Sequence, residues 1–266
     1  MDPQEVWLSE PVEVWRTRWG LPALQIHQRV TSTNDLAKEL ALQGAAEGTT
    51  VMAEIQDRGR GRRGREWLAP PGSSLLASMV LRPRNPGAET LLSLRLGLAA
   101  ARAIEALVPL RVSIKWPNDL LVDDLKVAGI LCEGAVEDGR AVYLVAGIGI
   151  NVHQHDHAWP ATLRGLASSL ESRARRSIHR GALAGRLVTQ WMAAARHDSV
   201  TLSPQELAEF RERDALFGQA LLINGHHAGV GQGIEPDGAL LAGPPTQPRR
   251  IIAGTVRTND SKYHRP

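Results

Sequence analysis

Apolar residues fall along this chain in three textures, and each predicts a different kind of element. In residues 24–30 and 49–55 they alternate with polar ones, the period of a half-buried strand, whereas 75–81 is a nearly unbroken apolar run of fully-buried-strand length. Residues 88–108 carry leucines and alanines at helical spacing, the longest such pattern, and further helices are predicted over 181–196 and 204–214. Between the first two strands, Thr31-Ser32-Thr33-Asn34-Asp35 offers several capping side chains ahead of Leu36, Ala37, Leu40 and Ala41, so a strand hands over to a helix there. Strands are predicted at 112–116 and 126–133, about the turn-prone Pro117-Asn118-Asp119, with a further bend at Asp123-Asp124. Glu137-Asp138-Gly139 predicts a hairpin turn into a strand over 141–150. After Phe217 short apolar pieces, 221–223, 229–234, 239–241 and 251–256, are punctuated by Gly, Asn, Asp and Pro, predicting a small all-β unit docked on the main domain. The expected boundaries are 1–216, 217–257 and a disordered tail over 258–266.

One segment interrupts these patterns. From Arg58 to Arg65 the eight residues comprise five arginines and three glycines. Glycine lets backbone turn tightly and approach a ligand, and each guanidinium offers forked donors matched to carboxylate or phosphate, so this loop suits an anion. Its string Gly59-x-Gly61-x-x-Gly64 matches the dinucleotide-binding fingerprint, but no helix opens at the third glycine, where Glu66-Trp67-Leu68-Ala69 runs into Pro70-Pro71, and no acidic residue follows at ribose distance. A spread nucleic-acid surface is also disfavoured: the net charge is only +3, and removing the loop arginines would leave the remainder slightly acidic. Among 31 basic residues only Lys38, Lys115, Lys126 and Lys262 are lysines, which marks the two in the middle of the chain as positions where a compact point charge is wanted. With 43% hydrophobic residues over 266 positions the chain can bury a sizeable core. No apolar run is long enough to span a membrane, the acidic start lacks signal-peptide character, and the single Cys132 suits a reducing cytoplasm.

Four segments then stand in one order: Ser32-Thr33-Asn34, the arginine–glycine loop, Lys115-Trp116-Pro117-Asn118-Asp119-Leu120 with Lys126-Val127-Ala128-Gly129-Ile130-Leu131, and Gly147-Ile148-Gly149-Ile150-Asn151. This ordered set, from about residue 30 to 257, resembles the biotin protein ligases. The resemblance implies an α+β fold: a mixed central sheet with flanking helices, like the catalytic domain of class II aminoacyl-tRNA synthetases, followed by a small SH3-like β-barrel. It implies activation of biotin by ATP to biotinyl-5'-AMP, with Mg2+ accompanying the nucleotide, and transfer of biotin to a lysine of a biotin carboxyl carrier domain. By matching position, Ser32, Thr33, Asn34, Gln56, Arg60, Gly61, Arg62, Lys126 and Gly129 would contact biotin. Arg60, Arg62, Arg63, Trp67, Lys115, Asn118, Asp119, Lys126, Asn151 and Arg257 would contact ATP or the adenylate. Arg62 and Lys126 are the expected catalytic pair, and Asp119 would orient Lys126 or a magnesium ion.

Plainer readings stand beside these. Ser32, Thr33 and Asn34 can simply cap a helix, Asn118 and Asn151 can serve turns, and Arg58, Arg63 and Arg65 can be solvated surface. His153, His155 and His157 alternate in a loop without an evident fourth zinc ligand. Lipoate and octanoate ligases or transferases share the general fold, and a transferase would need an acyl-cysteine, for which Cys132 is the sole candidate. Only residues 1–23 precede the first core strand, short of the roughly sixty that a helix-turn-helix domain needs, so a form without a DNA-binding domain is expected. The expected partners are a carrier domain and no nucleic acid or membrane, with the chain a monomer or homodimer.

Overall fold

The computed structural model of the chain describes residues 2–258 except Pro86, Asp138, Gly139 and Pro245. Part of the expected hairpin turn, Asp138 and Gly139, and the tail from 259 onward thus lie outside the described residues.

The chain opens with two short paired strands, β1 (Val6–Trp7) and β2 (Glu10–Pro11), and helix α1 (Val12–Arg18). Then come β3 (Leu24–Val30), α2 (Thr33–Leu42), β4 (Thr50–Gln56), β5 (Ser74–Leu81), α3 (Leu92–Glu105), β6 (Ser113–Lys115), β7 (Asp119–Val122), β8 (Leu125–Glu137) and β9 (Arg140–Asn151). Their strands form one seven-stranded mixed sheet in the order β3-β4-β5-β9-β8-β7-β6, in which only β3 and β4 run parallel. Helices α4 (Leu170–Ala174), α5 (Arg180–Ala195) and α6 (Pro204–Arg213) follow, the last started by Ser203, which forms a capping box with Glu206 ahead of Pro204.

Burial explains the run at 75–81. Every residue of β5 is buried because the strand lies between two helical layers. Leu75, Ala77, Met79 and Leu81 face the large core that includes Leu96 and Ala100 of α3 and Leu187 and Trp191 of α5, while Val80 joins Ala37 and Ala41 of α2 on the opposite face. Each such large apolar side chain contributes about 1.5–3 kcal/mol by leaving water. The helical pattern at 88–108 is divided: a 3-10 turn covers Ala88–Leu91, and the α-helix ends at Glu105. The turn after Trp116 is shorter than expected, since Asp119 already begins β7, and the bend at Asp123-Asp124 is made by two left-handed residues, φ 48° and 61°.

The N-terminal module was not anticipated. Trp15 and Trp19, one turn apart, press on Gly181 and Gly185 of α5, where an added Cβ would lie 2.7 and 2.6 Å from their indoles. Trp7 donates to Glu54 Oε1 at 2.6 Å, and the nearly buried Arg180 donates to Glu54 Oε2 at 2.9 Å and to the Ser74 carbonyl at 3.1 Å, joining the end of β4 to the start of β5.

The β-rich C-terminal unit comprises β10 (Ala220–Ile223), β11 (His226–Ile234), β12 (Leu240–Gly243), β13 (Arg249–Ile251) and β14 (Val256–Thr258). It is a five-stranded antiparallel sheet with β13 and β14 at its edges. It is docked without a gap: Leu221, Leu240, Ala242 and Val256 belong to the main core, and the Trp116 indole donates to the Gly238 carbonyl at 2.9 Å.

Candidate active site

A single cleft over β8, β9 and the entrance to α2 collects every residue expected to contact biotin or the nucleotide, from Ser32 to Arg257. The entrance to α2 forms one end. Ser32 occupies the N-cap position but makes no side-chain cap, and the next two side chains turn away from the helix. Thr33 donates from its backbone N and its hydroxyl to Gln56 Oε1 at 2.8 and 2.9 Å, and Asn34 donates to Glu133 Oε2 at 2.7 Å. The Ser78 hydroxyl lies 2.7 Å from Thr33 Oγ1 and 2.6 Å from Asn34 Oδ1. Thr33 and Asn34 are thus more than a cap: buried and fixed from β4, β5 and β8, they present preset polar groups at the cleft, with the buried Ser32 beside them.

The arginine–glycine segment is a small arch rather than an open loop. Trp67 N donates to the Gly59 carbonyl at 2.8 Å and Gly61 N to the Arg65 carbonyl at 2.7 Å, and Arg63 and Gly64 make the crest with φ of 60° and 71°. Gly59 is required by this pairing, because a Cβ there would lie 2.6 Å from the Trp67 carbonyl. Arg60 is committed to carboxylates, with both terminal nitrogens on Asp35 at 2.7 and 2.6 Å and a longer contact to Glu133; these partners raise its pKa above the ordinary value. Its first duty is therefore to tie the arch to α2. Arg62 turns inward and donates to Asn118 Oδ1 at 3.3 Å; burial and the neighbouring Arg63 guanidinium lower its pKa from the usual arginine value, though it remains charged. Arg58 is exposed.

Lys126 Nζ lies 2.8 Å from Asp119 Oδ1, an ion pair made across the β7–β8 turn. Burial lowers the pKa of nearby Lys115, with Asp119 opposing the shift and Lys126 adding to it. Asn118 donates to the Ile130 carbonyl at 2.9 Å, leaving Oδ1 aimed at Arg62. Asn151 is buried and donates to the Ser168 carbonyl at 3.1 Å, so it fastens the strand end to the following loop. Gly129 and Gly149 face each other across β8 and β9 and make a floor without side chains. The Trp67 indole rests on it: a Cβ on Gly149 would meet Trp67 Cε2 at 2.3 Å, and one on Gly129 would meet Trp67 Cζ3 at 3.1 Å. Lys126 Nζ stands 5.4 Å from the indole centroid. The indole N–H is buried without a partner among the described residues, at a cost of about 1–3 kcal/mol that a ligand acceptor would relieve.

The carboxylates lining the cleft are Glu66 and Asp119, and no cluster of three or more His, Cys, Asp or Glu among the described residues could cage a metal. Such a donor set fits a magnesium ion that arrives on a triphosphate, keeping phosphate and water ligands, and not a resident metal. His153 pairs with Glu171 at 3.0 Å, and His155 stacks on His157. Cys132 lies outside the cleft lining, and burial pushes its thiol up to about 12, which disfavours an acyl-cysteine route. Ser78 and Glu133 were not singled out from the sequence, and Asp35 was read there only as a capping candidate. The one available signal was a serine in the middle of the apolar run of β5.

The sequence profile of the biotin/lipoate A/B protein ligase family matches residues 26–151. The bifunctional ligase/repressor BirA of Bacillus subtilis is 35% identical over 220 residues, 81% of this chain and 67% of that protein, so the chain spans about two thirds of that relative's length. BirA of Salmonella typhimurium is 33% identical, covering 88% of this chain and 75% of that protein. The biotin--[acetyl-CoA-carboxylase] ligase of Mycobacterium tuberculosis is 30% identical, with 77% and 75% covered. In fold, the chain is similar to the biotin protein ligase from Aquifex aeolicus solved with biotin and ATP, with a TM-score of 0.76 at 24% identity over 90% of this chain and all of that one. The chain belongs to the biotin/lipoate protein ligase family, among its biotin protein ligases.

Proposed function

We propose that this cleft joins a carboxylate to the α-phosphate of ATP, with Lys126 and Arg62 as the cations that act on the reacting groups. The chain is an ATP-dependent biotin protein ligase. In the first step a biotin carboxylate oxygen attacks the α-phosphorus, the bond to the bridging oxygen breaks, and pyrophosphate leaves. In the second, the amine of a carrier lysine attacks the acyl carbon of biotinyl-5'-AMP; AMP leaves, an amide forms and the amine gives up a proton. The observation that carries this reading is the presence of Lys126 and Arg62 in one cleft, held by the adjacent Asp119 and Asn118, together with the preset donors and acceptors of Thr33, Asn34 and Gln56.

Two anions must approach for the first step, and fixed cations lower that barrier without reorganising as charge develops. Lys126, held by Asp119, stands at the carboxylate and α-phosphate; Arg62, held by Asn118, closes over them. Ser32, Thr33 and Asn34 with Gln56 receive the biotin rings, and Gly129 lets ligand and Trp67 lie close to the backbone. Lys115, Arg63, Trp67, Asn151 and Arg257 complete the nucleotide side. Mg2+ arriving on the triphosphate would supply charge neutralisation for the pyrophosphate leaving group. The acceptor is a biotin carboxyl carrier domain, met in the cytoplasm. Residues 1–216 form the catalytic domain and 217–257 the small β unit against it.

The test is exchange of labelled pyrophosphate into ATP, dependent on biotin and compared with lipoate and octanoate. Exchange with biotin alone is expected, and its absence overturns the assignment. Lys126→Ala is expected to reduce exchange by about 10²–10³-fold. Arg62→Gly is expected to release free biotinyl-adenylate.

A further inference from the structure

Arg63, at the crest of the arch, spans the cleft to the C-terminal sheet. Its Nη1 donates to Asn224 Oδ1 at 2.9 Å and to Thr255 Oγ1 at 2.8 Å, and Arg65 reaches the same hydroxyl at 3.4 Å. The two acceptors are built into the sheet. Asn224 and Gly225 form the left-handed turn between β10 and β11, with φ of 52° and 87°. Asn224 Oδ1 also accepts from Thr255 N at 2.9 Å, while Asn224 N donates back to the Thr255 carbonyl at 2.9 Å. Both lone pairs of the Asn224 oxygen are thus used, one to fix its own position and one to receive the arginine. The frame cannot drift, because Trp116 and the shared core hold this sheet on the catalytic one.

The arch is therefore fastened at two places of opposite character. Arg60, at its base, meets the carboxylates of Asp35 and Glu133. Arg63, at the crest, meets two neutral oxygens, which restrain a guanidinium but do not cancel its charge. We propose that Asn224 and Thr255 are positioning residues that hold the arginine arch shut over the cleft through Arg63 while leaving its positive field available to anionic substrates. This rests on the reading of the cleft as an adenylate-forming site. A carboxylate at either position would fasten as well and attract less; an apolar group would do the reverse.

Trypsin cleavage within residues 58–65 of the ligand-free protein tests the fastening without any activity, since its rate follows the population of the opened arch. Thr255→Val removes the hydroxyl that accepts from Arg63 and, at longer range, Arg65, and is expected to speed cleavage about fivefold, the order of an exposed hydrogen bond, and to increase release of free biotinyl-adenylate. Thr255→Ser, which keeps the hydroxyl, is expected to restore both. Asn224→Asp keeps the left-handed turn and the acceptor, so cleavage stays slow; its added charge is expected to raise KM for ATP about threefold with kcat unchanged. Cleavage indifferent to Thr255→Val, or an ATP KM indifferent to Asn224→Asp, overturns the proposal. Lack of biotin-dependent exchange in the wild type would sink the functional reading alone, leaving the cleavage rates to decide the fastening.

Discussion

Two glycines opposite one another, Gly129 and Gly149, decide how closely an aromatic ring approaches the central strands. Gly149→Ala would put a carbon 2.3 Å from the Trp67 ring, which cannot yield without leaving the floor. The expected outcome is about a tenfold rise in KM for ATP with little change in melting temperature, read from exchange kinetics and a thermal scan; an unchanged KM would dismiss the indole as part of the nucleotide side. At Lys126 the expectation is that arginine does not substitute: its planar fork replaces a point charge already 3.2 Å from the Gly129 Cβ position. Lys126→Arg should therefore be as poor in exchange as Lys126→Ala. Single residues of this kind were legible because their types are unusual in place: a rare lysine, a glycine inside a strand, hydroxyls before a helix. What holds them was not. Asn34 meets Glu133, and Arg63 meets Thr255, 192 positions along the chain, and no local pattern encodes a partner at such a separation.

Elements repeat that lesson at larger size. Elements with a clear pattern, β3, β5, α5 and α6, lie within a residue or so of where alternation, an unbroken apolar run and helical spacing put them. The pieces that escaped, β1, β2, α1 and β7, have four residues or fewer per strand or depend on the tryptophans seating on α5, so tertiary contact defines them. The connection before α6 likewise depends on one side chain. Arg95 of α3, 3% exposed, donates to Glu206 at 2.9 Å and to the carbonyls of His197, Ser199 and Thr201. Arg95→Met strips those carbonyls of their shared donor and leaves the Glu206 carboxylate without its cation, held by its capping-box bond to Ser203 N, and is expected to cost about 3–5 kcal/mol, seen as a fall in melting temperature of roughly 10 °C. Asp214, between α6 and β10, carries a pH signature. Burial pushes its carboxyl up to about 6, against the amide of Leu216. The folded value lies above the unfolded one, so the protonated group stabilises the fold fully below about pH 4, and that contribution is lost as pH rises through 6. Asp214→Asn keeps the acceptor and is expected to melt roughly 2–4 °C higher than wild type at pH 7 and equally at pH 4; equal melting at both would refute this.

Taken whole, the molecule concentrates its positive charge. Net charge is +3, yet Arg62, Arg63, Arg65, Lys115, Lys126 and Arg257 all line one cleft. Such focusing raises the local concentration of an anion and is screened by salt, so KM for ATP is expected to rise between about 0.05 and 0.5 M salt while kcat changes less; a flat KM would mean that this convergence does no steering. No helix among the described residues is long and apolar enough to cross a membrane. At this scale Arg180 has a mechanical consequence. One nearly buried guanidinium joins Glu54, just before the arginine segment departs, to Ser74, where the chain re-enters the sheet. The segment is a span with both abutments bolted to the same block, so the two ends of the stretch of chain that carries Arg62 keep a fixed separation on the sheet.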